Sequence, residues 1–317
     1  MNVDIMHPID SIIYIYYRIF KYKNASNFRK IIDRNKRNAI DIVWGMIFKK
    51  RFPWEEPRTL NEKITWLSGM SDTTRWTELA DKFEVRKYVE RHGFGDILTK
   101  CYGVWDKTED INFDKLPRAF VLKCTHDCGS TLIVKDKKEL NIEYTLEFLN
   151  RHLNERIGYK TCEPHYNHIK PRVMAEEIIP FDDNVSFSII DYKFWVLGGK
   201  CKYCMLVYDR QSEENGGNYV LDLYEVNPWK QCEGLISAYD NRYKRTMEEP
   251  ENLLEMVHIA ESLGEEFPQV RVDLYNVKGK IYFGEMTFTS QGGRMSYYTE
   301  EFQNKLGTMV DLSPYGL

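Results

Sequence analysis

The sequence lacks any run approaching the roughly 20 apolar residues that a membrane-crossing helix needs, so it does not read as an integral membrane chain. It also lacks an excess of either charge: 44 Lys and Arg stand against 48 Asp and Glu, a net −4. Bulk electrostatics therefore give no case for nucleic acid or an anionic membrane as partner. A disulfide frame is missing too. The seven cysteines are odd in number and scattered through strand-like text, as at Cys124, Cys128, Cys201 and Cys204. Free thiols in a reducing, cytoplasmic setting account for them better. Neither GxxxxGK[ST] nor GxGxxG occurs, so the two common glycine-rich phosphate motifs are excluded. No D-x-D signature occurs either; FDDN (181–184) holds only adjacent aspartates. The opening MNVDIMHPIDSIIYIYYRIFKYK has no basic leader and no small-residue cleavage site, so it does not read as a signal peptide. Its apolar, aromatic stretch suits an amphipathic helix on a membrane or partner, or a docking helix of the fold itself.

What is present is a chain of 317 residues, 43% hydrophobic and 29% charged, enough for one large or two to three smaller folding units. Aromatics reach 14%, which suits a groove for something flat or sugar-like, or simply a core. Residues 1–50 read as helical, with a Lys/Arg-rich stretch from Lys21 to Arg37 as a solvated face. Thr59 with Glu62 three residues on predicts a capping box. A second amphipathic helix is predicted over 76–94, closed by Gly93. Strands are expected over 98–105, in two pieces over 118–134, and over 173–181; a helix is expected over 139–157. The stretch 159–172 is irregular and basic. Residues 186–210 read as a hairpin turning at Gly198-Gly199. QSEENGGN (211–218) is a flexible loop, and 248–264 a helix. No internal repeat and no long linker is visible. Helices followed by antiparallel hairpins predict an α+β or mixed α/β chain.

The last third, VRVDLYNVKGKIYFGEMTFTSQGG (270–293), reads as two strands turning at Lys278-Gly279. Side chains alternate faces along a strand. With Val272, Leu274, Met286 and Phe288 toward the core, Arg271, Asp273, Glu285 and Thr287 share the other face. Two close carboxylates repel unless something positive lies between them. Magnesium suits that place, since it takes oxygen ligands from one or two carboxylates plus phosphate. Parity sets a condition. A three-residue loop puts Asp273 opposite Glu285, whereas a two-residue loop at Lys278-Gly279 puts them on opposite faces. The metal reading thus predicts the odd loop; otherwise the pair are two ordinary exposed acids.

Earlier segments supply possible phosphate and base contacts. Lys123 ends a strand just before a loop holding Gly129, Ser130 and Thr131. Such a loop exposes backbone N–H groups to phosphate oxygens, and a nearby lysine adds a point charge; an ordinary hairpin turn leaves the same text. Lys193 lies mid-strand in IIDYKFWV, where an unpaired buried charge is costly, so it points to water or to an anion. Glu176 and Glu177, in VMAEEII, sit where a strand could offer its backbone to adenine and a carboxylate to ribose hydroxyls. Cys162, His165 and His168 have a C-x2-H-x2-H spacing open to zinc, without helix or knuckle context. Cys124 with His126 has the composition of a thiol nucleophile and base, but a loop packed against phosphates explains them as well.

In order, these pieces resemble the ATP-grasp superfamily and, more closely, the TupA-like ATP-grasp family, named for teichuronopeptide biosynthesis. The likeness is carried by TLNEKITWL (59–67), LADKFEVRKYV (79–89), FVLKCTHDCGST (120–131), DYKFWVLGGK (191–200), RVDLY (271–275) and GEMTFTSQGG (284–293). It runs from about residue 40 to the end. The resemblance implies an α+β ATP-grasp fold: an N-terminal helical region (1–75), a first subdomain with the phosphate loop (76–180) and a second with the metal hairpin (181–317). It implies Lys123 and Lys193 on the ATP phosphates, 125–131 as the phosphate lid, Glu176 and Glu177 on the adenosine, and Asp273 and Glu285 on magnesium. Arg271 falls beside the reacting phosphoryl group, and Asp81, Lys82 and Arg86 near the acceptor. Many relatives have E-x-N where this chain has Glu285 and Thr287, which puts a full two-metal site in doubt. The implied activity is an ATP-dependent carboxylate–amine ligase working through an acyl phosphate in surface-polysaccharide assembly. Its cofactors would be ATP and Mg2+. Its partners would be a saccharide or small-molecule carboxylate, an amine and, peripherally, membrane-bound polysaccharide machinery. A glycosyltransferase and a nucleotide-binding protein without turnover are the alternatives.

Overall fold

The structure is a computed structural model that describes residues 25–211, 218–236 and 245–317. The helical expectation for residues 1–24 and most of the 211–218 loop lie outside the described residues. The described chain starts with helices α1 (Ala25–Arg34), α2 (Lys36–Phe48) and α3 (Leu60–Met70). The predicted capping box starts α3: Thr59 accepts from the Glu62 N–H, and Glu62 accepts from the Thr59 N–H at 3.0 Å. The single helix predicted over 76–94 is two, α4 (Thr74–Ala80) and α5 (Val85–Arg91). Asp81 causes the break. Its carboxylate accepts from the N–H of Phe83 (2.8 Å) and Glu84 (3.2 Å), competing with helical bonding as short acidic side chains do.

Four antiparallel strands form the smaller sheet: β1 (Cys101–Trp105), β2 (Phe120–Cys124), β3 (Leu132–Val134) and β4 (Val173–Glu176), in the order β1-β4-β2-β3. Alternation gives it two distinct faces. Phe120, Leu122, Cys124, Val173 and Ala175 join Leu149 of helix α6 (Ile142–Leu153) in a small separate core. The opposite face carries Val121, Lys123 and Glu176. The irregular stretch 159–172 holds a short helix, α7 (Ile157–Thr161), and a single turn over Pro164–His168.

The larger sheet has six antiparallel strands, ordered β10-β9-β5-β6-β7-β8. The predicted hairpin is β5 (Asp191–Leu197) and β6 (Lys200–Tyr208). Its turn residues Gly198 and Gly199 have φ of 58° and 73°, a conformation that favours glycine. Strands β7 (Val220–Val226) and β8 (Trp229–Gln231) extend the sheet, and neither was expected from the sequence. Helix α8 (Leu253–Gly264) covers the face that holds Val196 and Val270; a Cβ on Gly264 would lie 2.7 Å from Val196. Strands β9 (Gln269–Val277) and β10 (Lys280–Thr287) form the carboxylate hairpin. After β10 the chain reaches α9 (Glu300–Gly307), another element not expected. Apolar residues of α1 to α5, this sheet, α8 and α9 belong to one continuous core. Each large side chain buried there contributes about 1.5–3 kcal/mol.

The 3.0 Å bonds between Asn61 of α3 and both the N–H and C=O of Met295 fix the segment after β10. At Gly293 (φ 70°) a Cβ would sit 2.4 Å from the Thr65 hydroxyl, so only glycine permits this approach.

Candidate functional site

The β9–β10 hairpin corrects one expectation and keeps its consequence. Val277 pairs with Lys280, so the loop has two residues, Lys278 and Gly279, and not three. On loop length alone Asp273 and Glu285 would face opposite ways. A β-bulge between Phe283 and Glu285 inserts one residue, Gly284, and Glu285 falls directly opposite Asp273. Thr287 is opposite Arg271 on the same face. Glycine is needed at the bulge because a Cβ there would lie 2.9 Å from the Asp273 carbonyl oxygen. The sequence signal was a glycine inside a strand.

Across β5, Lys193 is the register partner of Asp273, and Trp195 of Arg271. The Lys193 ammonium is paired with the Asp273 carboxylate and lies 3.5 Å from Asp191. Arg271 holds Asp273 with two bonds, from Nε to Oδ1 (2.7 Å) and from Nη2 to Oδ2 (2.8 Å). It also donates to Ser290 (2.9 Å), Thr287 (3.1 Å) and Glu285 (3.3 Å). Thr287 in turn donates to Glu285 Oε1 at 3.0 Å. Burial works against the charge on Asp273, but Arg271 and Lys193 overcome it and hold its carboxyl below the ordinary value. Burial opposes the Arg271 charge as well, and Asp273 more than offsets this, so the guanidinium is held above its ordinary value. Glu285 is the open member, with 43% of its side chain exposed against 2% for Asp273.

The smaller sheet presents a parallel arrangement. Lys123 pairs with Glu176 across β2 and β4. The second Glu176 oxygen accepts from the Thr99 hydroxyl at 2.7 Å, and the Thr99 carbonyl accepts from Arg86 at 2.5 Å. Glu177 continues the strand edge, its N–H bonded to Lys100 at 2.9 Å. Between the sheets lies a cavity of about 190 Å3 lined by Thr99, Lys123, Thr131, Glu176, Tyr275 and Gly284, among others. The structure thus brings Lys123, Thr131, Glu176 and Glu177 to one cavity, whose far wall is the residue before Glu285. Lys193, Arg271, Asp273, Glu285 and Thr287 form the cluster beside that wall.

The 125–131 loop is tied down at its base. Ser130 Oγ accepts from the Cys124 N–H (2.8 Å) and donates to Asp127 (2.5 Å), so its hydroxyl is engaged within the loop. Asp127 also pairs with His152 at 2.6 Å, and its carbonyl accepts from Lys82. Gly129 (φ 99°) and Thr131 are exposed at the tip. Arg172 bridges Asp81 (2.7 Å) and Glu84 (2.8 Å). Asp81, Lys82 and Arg86 therefore reach Arg172, the loop and Thr99 respectively. Sequence reasoning missed Thr99, Asp191, Tyr275 and Ser290. Asp191 and Tyr275 stand two residues from Lys193 and Asp273, so same-face spacing alone points to them.

Two other chemistries fail on geometry. The Cys124 Sγ contacts the Leu149 carbonyl and His126 Nε2 lies 3.2 Å from the Glu155 carbonyl, so the two do not pair, and burial pushes the thiol up. Burial also pushes Cys162 up to about 11 and His165 down to about 3, while His168 is exposed. Among the described residues no group of three His, Cys, Asp or Glu is placed to hold a metal ion, so the zinc spacing is not assembled. The donor set at the hairpin is different in kind: two carboxylates and a hydroxyl, all hard oxygen donors. The chemistry of that set suits magnesium with phosphate oxygens, but Arg271 and Lys193 take both Asp273 oxygens here, so Glu285 is the open ligand and Asp273 could join it only once those cations turn to phosphate.

A lysine-bearing sheet on each side of one cavity, with paired carboxylates on the second, is the architecture of an ATP-grasp protein. The model of the family "TupA-like ATPgrasp" matches residues 62–311, and the chain belongs to that family. Membership brings the α+β ATP-grasp fold, and ATP and Mg2+ as cofactors. No curated protein matches the chain. Solved structures similar to it include an L-amino acid ligase from Bacillus licheniformis (16% identity, TM-score 0.46, covering 83% of this chain and 57% of that one). A D-alanine–D-alanine ligase from Bacillus anthracis complexed with ATP matches at 18% identity and TM-score 0.44, covering 77% and 66%. One from Helicobacter pylori matches at 14% and 0.39, covering 73% and 61%. The chain spans about three fifths of the length of these ligases.

Proposed function

We propose that this protein is an ATP-dependent carboxylate–amine ligase. The observation that supports the reading is a lysine–carboxylate contact on each sheet, Lys123–Glu176 lining the cavity between the sheets and Lys193–Asp273 in the cluster that continues from its Tyr275 and Gly284 wall. Lys123 and Lys193 bind the ATP phosphates, and the backbone of Gly129, Ser130 and Thr131 closes over them. The strand through Glu176 and Glu177 holds adenine and ribose. Asp273 and Glu285 hold magnesium, with Thr287 as the third oxygen beside them. The metal neutralises phosphate charge when bound. Arg271 keeps both carboxylates aimed and, with Lys193, stabilises charge on the transferring group. The division of the chain at 75 and 180 is part of the same proposal.

The reaction follows from positioning more than from covalent work by the protein. A carboxylate oxygen of the acceptor attacks the γ-phosphorus and the bond to the β–γ bridging oxygen breaks. ADP leaves, and the acceptor becomes an acyl phosphate. An amine nitrogen then attacks the acyl carbon, phosphate departs, and the amine gives up a proton. Family likeness favours a uronic-acid or amino-acid carboxylate of a surface polysaccharide, made in the cytoplasm beside membrane-bound assembly machinery. Among the described residues no helix is long and apolar enough to cross a membrane.

Calorimetry with Mg-ATP tests the site. The wild type binds, and Lys123→Ala loses binding by at least about tenfold, the scale of one charge-assisted phosphate contact. Equal affinity in the two proteins removes the assignment. A substrate screen reading ADP and product mass together separates a ligase from a transferase, which would consume sugar nucleotide without ATP.

A further inference from the structure

The loop that would close over phosphate contains a buried acid with no direct place in that chemistry. A carboxylate beside a polyphosphate is repelled by it, yet Asp127 is only 2% exposed within the 125–131 loop. Both of its carboxylate oxygens are engaged. Ser130 Oγ donates to Oδ1 at 2.5 Å, and His152 Nδ1, from α6, lies 2.6 Å from Oδ2. An imidazole nitrogen that faces a carboxylate carries the proton, so His152 is the donor. The Asp127 carbonyl accepts from Lys82 Nζ, and the Lys82 N–H donates to the Thr125 carbonyl at 3.0 Å. His126 Nε2 lies 3.2 Å from the Glu155 carbonyl, just beyond α6. As far as Asp127, then, the loop is pinned to the turn between α4 and α5 and to α6. Cys128, Gly129 and Thr131, beyond it, are exposed.

We propose that Asp127 is a positioning residue of the phosphate site, a fixed post that acts through Ser130 to aim the backbone N–H groups of Gly129, Ser130 and Thr131 at a polyphosphate. This role rests on the function proposed above. The Ser130 hydroxyl is taken by Asp127 and by the Cys124 N–H, so Ser130 offers an incoming phosphate its own N–H and not its side chain. Ordering a loop on binding costs conformational entropy. With the chain fixed through residue 127 and Ser130 tethered, that cost falls on the exposed tip alone. His152 supplies the outer support. It reaches the post from α6, a helix that contributes no residue to the lining of the cavity. A change at His152 therefore alters the grip on phosphate without removing any group that touches the nucleotide.

Two measurements on the full chain provide the test. In hydrogen exchange of the free protein, Asp127→Ala and His152→Ala are each expected to speed exchange of the 128–131 amides by at least about fivefold while α6 keeps its protection. In calorimetry, Asp127→Ala is expected to raise the Mg-ATP Kd by at least about tenfold, the scale of one bond to a charged group. The Kd of adenosine, which has no phosphate for the loop to grip, is expected to stay within about twofold. His152→Ala is expected to show the same split, and Asp127→Asn, which keeps an acceptor for Ser130, to fall between Asp127→Ala and wild type. A role in stability alone would weaken both ligands together. Should Asp127→Ala fail to fold, His152→Ala decides from outside the loop. Three results overturn the inference: equal Mg-ATP affinity in wild type and both folded Ala variants, parallel loss of Mg-ATP and adenosine in His152→Ala, or unchanged exchange of the loop amides in both. A wild type that binds neither ligand is a different result, which removes the nucleotide reading and the ligand of this site with it.

Discussion

The two lysines of the cleft sit in unequal settings. Lys123 has one carboxylate partner, Glu176, and its sheet is backed by a small core. Lys193 is inside a network in which Arg271, Asp273, Asp191, Glu285, Thr287 and Ser290 bond to one another, on a sheet backed by the main core. A lone pair near an exposed loop tip can exchange partners cheaply. A buried cluster can do so only when the incoming ligand compensates each charge it frees. On the proposed function, the Lys123 side is the part that yields first to a ligand and the Lys193 side the more rigid support.

The largest test of that asymmetry replaces one carboxylate on each side. Asp273→Asn leaves Arg271 and Lys193 buried against a neutral group and is expected to cost about 3–5 kcal/mol of stability; Glu176→Gln is expected to cost about 1–2 kcal/mol. Denaturant unfolding compares them, and equal costs would break the contrast. Because Asp273 is held below the ordinary carboxylate value, its contribution is complete at neutral pH and fades as pH falls through that lowered value. The Asn variant should lose less on acidification. A smaller effect is expected at the bulge. Gly284→Val pushes a side chain against the Asp273 carbonyl and should cost about 1–3 kcal/mol, with loss of Mg-ATP binding in calorimetry while Lys123 is untouched. The smallest sharpens the weaker side. Thr99→Val removes the hydroxyl behind Glu176 at about 1 kcal/mol, read as a rise of a few fold in the nucleotide Kd with stability almost unchanged.

Much of this was legible in residues 51–317, and the exceptions have physical reasons. Local chemistry announced itself: the Thr59/Glu62 box and the Gly198-Gly199 turn each satisfy backbone groups within a few residues. The shared face of Arg271, Asp273, Glu285 and Thr287 followed from alternation, although the expected three-residue loop was wrong and Gly284 supplied the missing residue instead. The break at Asp81 has a local cause, its bonds to the Phe83 and Glu84 N–H groups, but the Arg172 contact that takes its other oxygen is 91 residues away. The β7–β8 ribbon escaped because its text lacks a glycine turn, and the chain bends at Asn227-Pro228. Thr99 and Ser290 acquire their places only from tertiary contacts with Glu176 and Arg271, which no spacing rule encodes.

With each ammonium already answered by an acid, the cleft is electrically quiet when empty. A solute such as inorganic phosphate must break a contact to enter and brings too little to replace it. On the proposed function, a polyphosphate carrying its own divalent ion would satisfy both freed amines and both freed acids at once, and that pairing would act as a filter against abundant small anions.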